Sequence, residues 1–283
     1  MIHPDRKPPH RFAHDAMNTT FHFWIEADDE HAARDMAKEC FDQVDGLEKR
    51  LSRFIDDSDI SQINHLPSGE TLYISQACHQ CLLASVDAYA RTGGLFDITL
   101  GARIAHHRTS STEEAPPLVG KLIIHPDIAA VTCEIPGREI DLGGIGKGFA
   151  LDQVRATLIE WGAEGGLLTA GASSMLAFGP NAWPVDLKGS GAATQISLLN
   201  QSLSASGTGI QGNHILHPGG SDAMPGNPLS RLWVTAHTAT LAEIWSTTLM
   251  LVEPGVIPDF IAGEPTLLGV YADTGPQIEA FFP

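Results

Sequence analysis

The sequence predicts an α+β fold, in which mixed sheets pack against separate helices. A long amphipathic helix is predicted near the N-terminus, and further helical patterns follow at well-separated positions. Between them lie short apolar runs bounded by turn residues, which are typical of strands joined as hairpins. Because these runs do not alternate regularly with the helices, the pattern favours α+β over a βαβ winding.

The N-terminal part of the chain has the clearest periodicity. A strand is predicted over residues 19–26, and a helix follows because apolar residues between Ala33 and Leu51 recur every three or four positions. A second helix is predicted to begin after Ser75, whose hydroxyl suits an N-cap. It would end at the glycine pair that starts at Gly93, where a left-handed turn costs glycine little.

The rest of the chain combines short strands with two more helices. The segment RTSSTEEAPP, residues 108–117, predicts an exposed loop because it offers nothing to bury. A helix over residues 147–161 is expected to bury Trp161 with its other apolar side chains, and a last helix is predicted over residues 238–252. Strands are predicted over residues 95–100, 121–125, 130–134, 166–169, 175–178, 184–187, 195–199 and 266–272.

Length and charge restrict the possible functions. At roughly 150 residues per domain, and with no internal repeat or linker, the 283 residues predict a single domain over residues 1–283. The net charge of −17 would repel nucleic acid and anionic membrane surfaces, so neither is an expected partner. An anionic ligand would need a local device such as a metal ion.

Several features of the sequence bear on where in the cell the protein is expected. No apolar run reaches the roughly 18 residues that cross a bilayer, and the N-terminal segment lacks the apolar stretch of a signal peptide. We therefore expect no membrane-spanning segment and a cytoplasmic chain as written; export after loss of a signal segment is the alternative. The four cysteines are too few for a disulfide scaffold. Cys78 and Cys81 have redox or metal-ligand spacing, but the register of Cys78 with Leu82, Val86 and Tyr89 favours core packing.

The glycine-rich segment IDLGGIGKGFALD, residues 140–152, predicts a strand, a turn and a helix with Lys147 in its first turn. Glycines let the backbone approach a ligand closely, and N–H groups at a helix start favour an anion. A phosphorylated ligand is therefore one interpretation. A tight turn followed by a surface lysine is the other, because the spacing matches neither common glycine-rich phosphate motif.

On the last predicted helix, Glu243 and Thr247 lie one turn apart, on the face opposite Leu241 and Trp245. A carboxylate and a hydroxyl that point together are oxygen ligands of the kind that Mg²⁺ accepts, with water or phosphate completing the octahedron. A solvated helix face is the simpler interpretation of this pattern taken alone.

The segment SASGTGIQGNHILHPGG, residues 204–220, places His214 and His217 after a Ser/Gly-rich stretch that can turn backbone donors towards a ligand. Histidine has the unperturbed pKa nearest neutrality, so either side chain is a candidate general base. The chain has 13 histidines, and pairs therefore also arise by chance.

Taken in order, these segments resemble the motifs of the ApbE family of flavin transferases, which move FMN from FAD onto a threonine of a target protein. Residues 140–152 are similar to the motif D-L-G-G-I-A-K-G-Y-A-V-D, and LAEIWSTTL at residues 241–249 is similar to A-D-A-L-A-T-A-L. The resemblance implies an ApbE-like, T-fold-like architecture. Further matches are MNTTF at residues 17–21, RLSRFIDDSDISQIN at 50–64, GGLFDITLG at 93–101, SASG at 204–207 and HILHP at 214–218.

The resemblance also implies roles for individual residues. Glu243, Thr247 and the backbone carbonyl of Gly144 would hold Mg²⁺ against the pyrophosphate of the substrate FAD. His214 would be the base that takes the proton from the threonine hydroxyl of a flavin-accepting protein. The implied FAD-binding residues are Phe54 beside the adenine, Gly143, Gly144 and Lys147 beside the phosphates, and Ser206 and Gly207 along the pocket.

The sequence departs from the family's motifs at several positions. Glu243 stands where the family has aspartate, and its extra methylene would displace the carboxylate unless the backbone compensates. His217 replaces the aspartate of H-I-I-D-P, Asn18 replaces the glycine of M-G-T, and GASS at residues 171–174 replaces G-G-D.

The predicted activity is Mg²⁺-dependent transfer of FMN from FAD to a threonine, with release of AMP. An FAD pyrophosphatase, in which water replaces the threonine, would instead give free FMN and AMP. A relative that binds FAD but has weakened catalysis is the third possibility. Release of free FMN without an acceptor separates the first two, and intact FAD identifies the third.

Overall fold

The computed structural model describes residues 8–109, 114–207, 218 and 229–282. Across these residues, 13 strands and seven α-helices form an α+β fold, which confirms the predicted class. The strands make an eight-stranded sheet, a three-stranded sheet and a separate hairpin. The assignment of one domain to residues 1–283 stays a prediction.

The eight-stranded sheet is antiparallel throughout, in the order β1-β2-β6-β7-β10-β11-β12-β13. The small sheet has the order β3-β5-β4, and β8 pairs only with β9. The strands are β1 (His10–Ala16), β2 (Thr19–Glu26), β3 (Thr71–Tyr73), β4 (Lys121–Ile124), β5 (Ala130–Ile135), β6 (Gly165–Ala170), β7 (Ser174–Phe178), β8 (Trp183–Lys188), β9 (Ala193–Leu198), β10 (Ser202–Gly207), β11 (Arg231–Ala236), β12 (Leu267–Asp273) and β13 (Ile278–Phe281).

The helices largely follow the predicted periodicity. Ser75 caps the third helix by accepting a hydrogen bond from the Cys78 N–H, as the sequence predicts. Asp29 caps the first helix through the Ala32 N–H, which the sequence analysis did not predict. The helices are α1 (Glu30–Leu51), α2 (Asp59–Asn64), α3 (Gln76–Arg91), α4 (Gly101–Arg108), α5 (Gly146–Glu160), α6 (Ala239–Leu249) and α7 (Ile257–Ala262). No helix in the described part of the chain is both long enough and apolar enough to span a bilayer.

The two faces of the large sheet pack against different layers. Along β2, Phe21, Phe23 and Ile25 join the main core with α1, α5 and α6, whereas Trp24 points to the opposite face. There it packs in a smaller apolar cluster with the β8–β9 hairpin. Helices α5 and α6 both lie on the face of the sheet that packs against the main core. The glycine-rich segment at residues 140–152 and the segment at residues 241–249 are therefore on the same side of the sheet.

Three local predictions are wrong. Residues 95–100 do not form a strand: the Asp97 carboxylate accepts hydrogen bonds from both the backbone N–H and the hydroxyl of Thr99, and this turn leads into α4. Trp161 is 48% exposed, because α5 ends at Glu160 and the indole lies beyond its buried stripe. Val86 and Tyr89 are exposed on α3, although Cys78 is buried as expected.

All four cysteines are free and buried. The core position of Cys78 therefore agrees with the packing interpretation of the Cys-x-x-Cys spacing. Burial raises the pKa of the Cys81 thiol to about 12, and the negative charge of Glu243 adds to the effect.

The backbones of α5 and the start of α6 lie in close contact at Gly148. A β-carbon there would lie 2.4 Å from the carbonyl oxygen of Ala239, well inside van der Waals contact. Glycine is therefore required at this position for steric reasons.

We expect Gly148→Ala to lower the free energy of unfolding by about 3 kcal/mol, since the added methyl must push the two backbones apart. Gly146→Ala is the matched control on the same helix, because a β-carbon at Gly146 has nothing within 4 Å. The control should change stability by less than about 1 kcal/mol. Urea denaturation measures the free energy of unfolding of both variants, and an equal loss in the two would contradict the close-contact explanation.

Candidate functional site

The first turns of α5 and α6 are held by carboxylates from the opposite helix. Asp152 on α5 accepts hydrogen bonds from the N–H groups of Ala239 (2.9 Å) and Thr240 (2.8 Å) at the start of α6. Glu243 on α6 accepts one from the N–H of Gly148 (2.9 Å) at the start of α5, where no local side chain caps the helix. Burial raises the pKa of Asp152, and the hydrogen bonds from Thr240 and Ala239 partly oppose that effect.

The Glu243 carboxylate is buried, with only 3% of the residue exposed. Its Oε1 atom accepts a hydrogen bond from the Ser174 hydroxyl and lies 3.1 Å from the Lys147 ammonium, whose side chain is 18% exposed. The interpretations of a solvated helix face and of a surface lysine are therefore both wrong. Both oxygens of this carboxylate have partners within the protein.

Thr247 faces the glycine turn that precedes α5. A β-carbon on Gly144 would lie 3.5 Å from the Thr247 hydroxyl oxygen and 3.2 Å from the Phe96 ring. The three groups predicted to hold Mg²⁺ thus belong to one corner of the molecule, formed by α6 and the turn before α5. No cluster of three or more His, Cys, Asp or Glu side chains suited to a metal is found within the described residues.

The chemistry of this corner fits a hard cation on one condition. Carboxylate, hydroxyl and carbonyl oxygens are the ligands that Mg²⁺ prefers, and water or phosphate can complete its octahedron. The Lys147 ammonium, however, already neutralises Glu243 at 3.1 Å. A divalent cation at Glu243 therefore requires the Lys147 side chain to release Oε1.

A cleft that is open to solvent brings most of the predicted site residues together. One of its walls is apolar and comes from residues 95–104, which include Phe96 and Ile98. The opposite wall is polar and is formed by the ends of β10, α5 and α6. The predicted site residues that line the cleft are Gly143, Gly144, Lys147, Ser206, Gly207, Glu243 and Thr247.

Two predicted site residues are not among those that line the cleft. Phe54 lies between α1 and α2 with 75% of its surface exposed, and the Arg53 guanidinium lies over its ring at 5.8 Å. His214 and its rival His217 lie outside the described residues. The roles of Phe54 and His214 stay predictions.

Sequence reasoning missed several polar groups of the cleft. SASG forms the end of strand β10, and the Ser206 hydroxyl lies 2.9 Å from that of Ser246, which is itself 3.1 Å from Ser204. The buried hydroxyl of Ser246 therefore ties α6 to β10. The only available signal for Ser246 was its place between Glu243 and Thr247.

The acidic groups of the cleft are paired with basic groups behind or beside them. Asp97 and Asp141 also line the cleft. They lie in the motifs at residues 93–101 and 140–152, but the sequence assigned neither of them a role. The pairs are Asp97 with Arg138 (3.6 Å), Asp141 with Arg53 (3.4 Å) and Glu243 with Lys147 (3.1 Å).

Comparison with known proteins shows the family to which the chain belongs. A sequence model described as the ApbE family matches residues 17–271, which is most of the chain. The chain belongs to the ApbE family. A relative from Klebsiella pneumoniae, named FAD:protein FMN transferase, is 25% identical over 239 residues, or 76% of this chain and 74% of the relative.

Solved structures of the family share the fold. The apo form of the Pseudomonas stutzeri flavinyl transferase ApbE has a TM-score of 0.81 at 21% identity, over 97% of this chain and 94% of that one. The ApbE protein of Thermotoga maritima has a TM-score of 0.79 at 19% identity, over 96% of this chain and 97% of that one. These likenesses confirm the ApbE-like architecture that the sequence predicts.

We expect Glu243 and Lys147 to be energetically coupled, because the pair is largely removed from water. In a double-mutant cycle with Glu243→Gln and Lys147→Met, the coupling free energy should be about 1–2 kcal/mol. The exposed pair Arg34–Glu30 on α1 is the control, with about 0.3–0.5 kcal/mol expected. Urea denaturation gives both values, and a Glu243–Lys147 coupling no larger than the control would refute the buried ion pair.

Proposed function

We propose that the chain transfers the FMN part of FAD to a threonine hydroxyl of an acceptor protein, with AMP as the other product. One observation carries this proposal: seven residues named from the family's motifs line a single cleft, although they are spread from Gly143 to Thr247. The names of the relatives, FAD:protein FMN transferase and flavinyl transferase, support it.

The cleft has the composition that a dinucleotide with a flat ring system needs. Its apolar wall, which includes Leu95, Phe96 and Ile98, suits an aromatic ring. Its polar wall offers Lys147 and the start of α5, where the helix dipole favours phosphate, while the N–H groups of Gly143 and Gly148 are bonded to Asp141 and Glu243. FAD combines both chemical features in one molecule.

The proposed metal ion is Mg²⁺, held by Glu243, Thr247 and the carbonyl of Gly144. When bound, it would supply positive charge to the pyrophosphate as AMP leaves. The chain's own contribution is to place one carboxylate and one hydroxyl on the same face of α6, opposite the turn at Gly144. Lys147, once it releases Glu243, is close enough to the same corner to contact a phosphate oxygen.

In the proposed reaction, the acceptor threonine oxygen attacks the phosphorus on the flavin side of the pyrophosphate. The bond between that phosphorus and the bridging oxygen breaks, AMP leaves, and a phosphoester joins FMN to the threonine. We propose that His214 takes the hydroxyl proton, with His217 as the rival. A neutral imidazole is the natural acceptor for this proton near pH 7.

A second candidate function is FAD binding with little cleavage. The observation that favours it is the environment of Glu243, whose oxygens are bonded to Gly148, Ser174 and Lys147. A carboxylate held in this way is a weaker metal ligand, because a cation must displace an ammonium to reach it. This candidate predicts FAD binding that is indifferent to Mg²⁺.

The test is to incubate the purified protein with FAD and Mg²⁺ and to quantify AMP and FMN by chromatography. We expect AMP to form only when Mg²⁺ is present, with the flavin recovered on a threonine-containing acceptor protein. AMP with an equal amount of free FMN would identify a pyrophosphatase. FAD that stays intact at millimolar Mg²⁺ or Mn²⁺ would contradict the proposed transfer and favour the binding function.

Thr247→Val should raise the metal concentration that gives half-maximal AMP release by roughly tenfold, because one oxygen ligand is lost. The matched control is Thr248→Val, since the neighbouring hydroxyl is buried and bonds to the Ile244 carbonyl instead of facing the cleft. The measurement is a Mg²⁺ and Mn²⁺ titration of all three proteins. The same midpoint in wild type and Thr247→Val would exclude Thr247 as a ligand.

A further inference from the structure

Arg108 is the last residue of α4 and extends the wall of the cleft. Leu100, Ile104 and Arg108 follow one another at intervals of four residues, and all three line the cleft. This spacing is that of one face of a helix. The side chain of Arg108 is exposed, so the guanidinium lies at the solvent end of the apolar wall.

Arg108 differs from the other charged groups of the cleft in having no partner among the described residues. Asp97, Asp141 and Glu243 each lie within 3.6 Å of a basic side chain, and Lys147 is bound to Glu243. The Arg108 guanidinium makes neither a hydrogen bond nor an ion pair with any described residue. Of the described cationic side chains that line the cleft, Arg108 is therefore the one that is free to meet a ligand.

The net negative charge of the protein makes the Arg108 guanidinium important for binding an anionic ligand. At −17, the protein as a whole repels an anion such as a dinucleotide pyrophosphate. Arg138 and Lys147 neutralise Asp97 and Glu243, and Arg53 is shared between Asp141 (3.4 Å) and Glu139 (2.6 Å), so the charge of Arg108 is the positive charge lining the cleft that is not already used in a described ion pair. An approaching phosphate would meet that charge first, at the solvent end.

We propose that Arg108 binds the pyrophosphate of FAD and so selects phosphorylated flavins over riboflavin; this inference rests on the proposed function. A guanidinium presents parallel N–H donors that match two phosphate oxygens, and it keeps its charge at any physiological pH. It needs no metal ion to act. Because Lys147 is held by Glu243, Arg108 can contact the ligand before the corner around Glu243 rearranges.

A structural role at the helix end is the competing explanation. Basic side chains in the last turn of a helix interact favourably with its dipole. Arg103 on the same helix offers the comparison, because its Nε donates to the carbonyl of Pro116 and it does not line the cleft. A purely structural Arg108 would alter stability without discriminating between ligands.

The experiment is isothermal titration calorimetry of the whole protein with FAD, ADP and riboflavin, for wild type, Arg108→Ala, Arg108→Lys and the control Arg103→Ala. We expect Arg108→Ala to weaken FAD and ADP by roughly ten- to a hundredfold and to leave riboflavin unchanged. Arg108→Lys should recover part of the affinity, since it keeps the charge but loses the paired donors. Arg103→Ala should bind all three ligands like wild type.

The outcomes separate this inference from the proposed function. Wild-type FAD binding that Arg108→Ala leaves unchanged, or an equal loss for riboflavin, overturns the role of Arg108 while FMN transfer can still stand. A selective loss of FAD and ADP affinity supports Arg108 even if no AMP is ever released, in which case only the transfer is wrong. A wild-type protein that binds neither FAD nor ADP overturns both.

Discussion

The reciprocal bonding of α5 and α6 is the constraint on which the rest of the site depends. Each helix begins without enough local partners for its first N–H groups, and each obtains a carboxylate from the other, Asp152 in one direction and Glu243 in the other. This arrangement requires the backbones to touch at Gly148. It also fixes Thr247 against the glycine turn, so the polar wall of the cleft follows from helix packing.

The long amphipathic helices and most strands could be predicted, because their periodicity is local. The turn at Asp97 could not, since LFDITL has the composition of a strand and does not reveal that Thr99 donates hydrogen bonds to the Asp97 carboxylate. Strand β1 was missed for a related reason. Its turn into β2 uses left-handed φ values at Met17 and Asn18, of which only asparagine is a recognisable signal.

Most residues that line the cleft on its polar side could be predicted from motifs, but the hydrogen bonds and ion pairs between them could not. Glu243 is 95 residues from Gly148, and nothing in LAEIWSTTL indicates that its carboxylate caps another helix. The contacts of the Glu243 carboxylate become visible only in three dimensions. It bonds to the Gly148 N–H and the Ser174 hydroxyl and pairs with the Lys147 ammonium, so it already has a counter-charge within the protein.

The buried thiols have a consequence for the chemical reactivity of the folded chain. A thiolate is the reactive form of cysteine in oxidation and disulfide exchange, and burial raises the pKa of Cys40 and Cys81 to about 12. At neutral pH these two side chains stay protonated in the folded state and act as small apolar groups. Burial in the folded chain therefore protects these two thiols from oxidation and disulfide exchange.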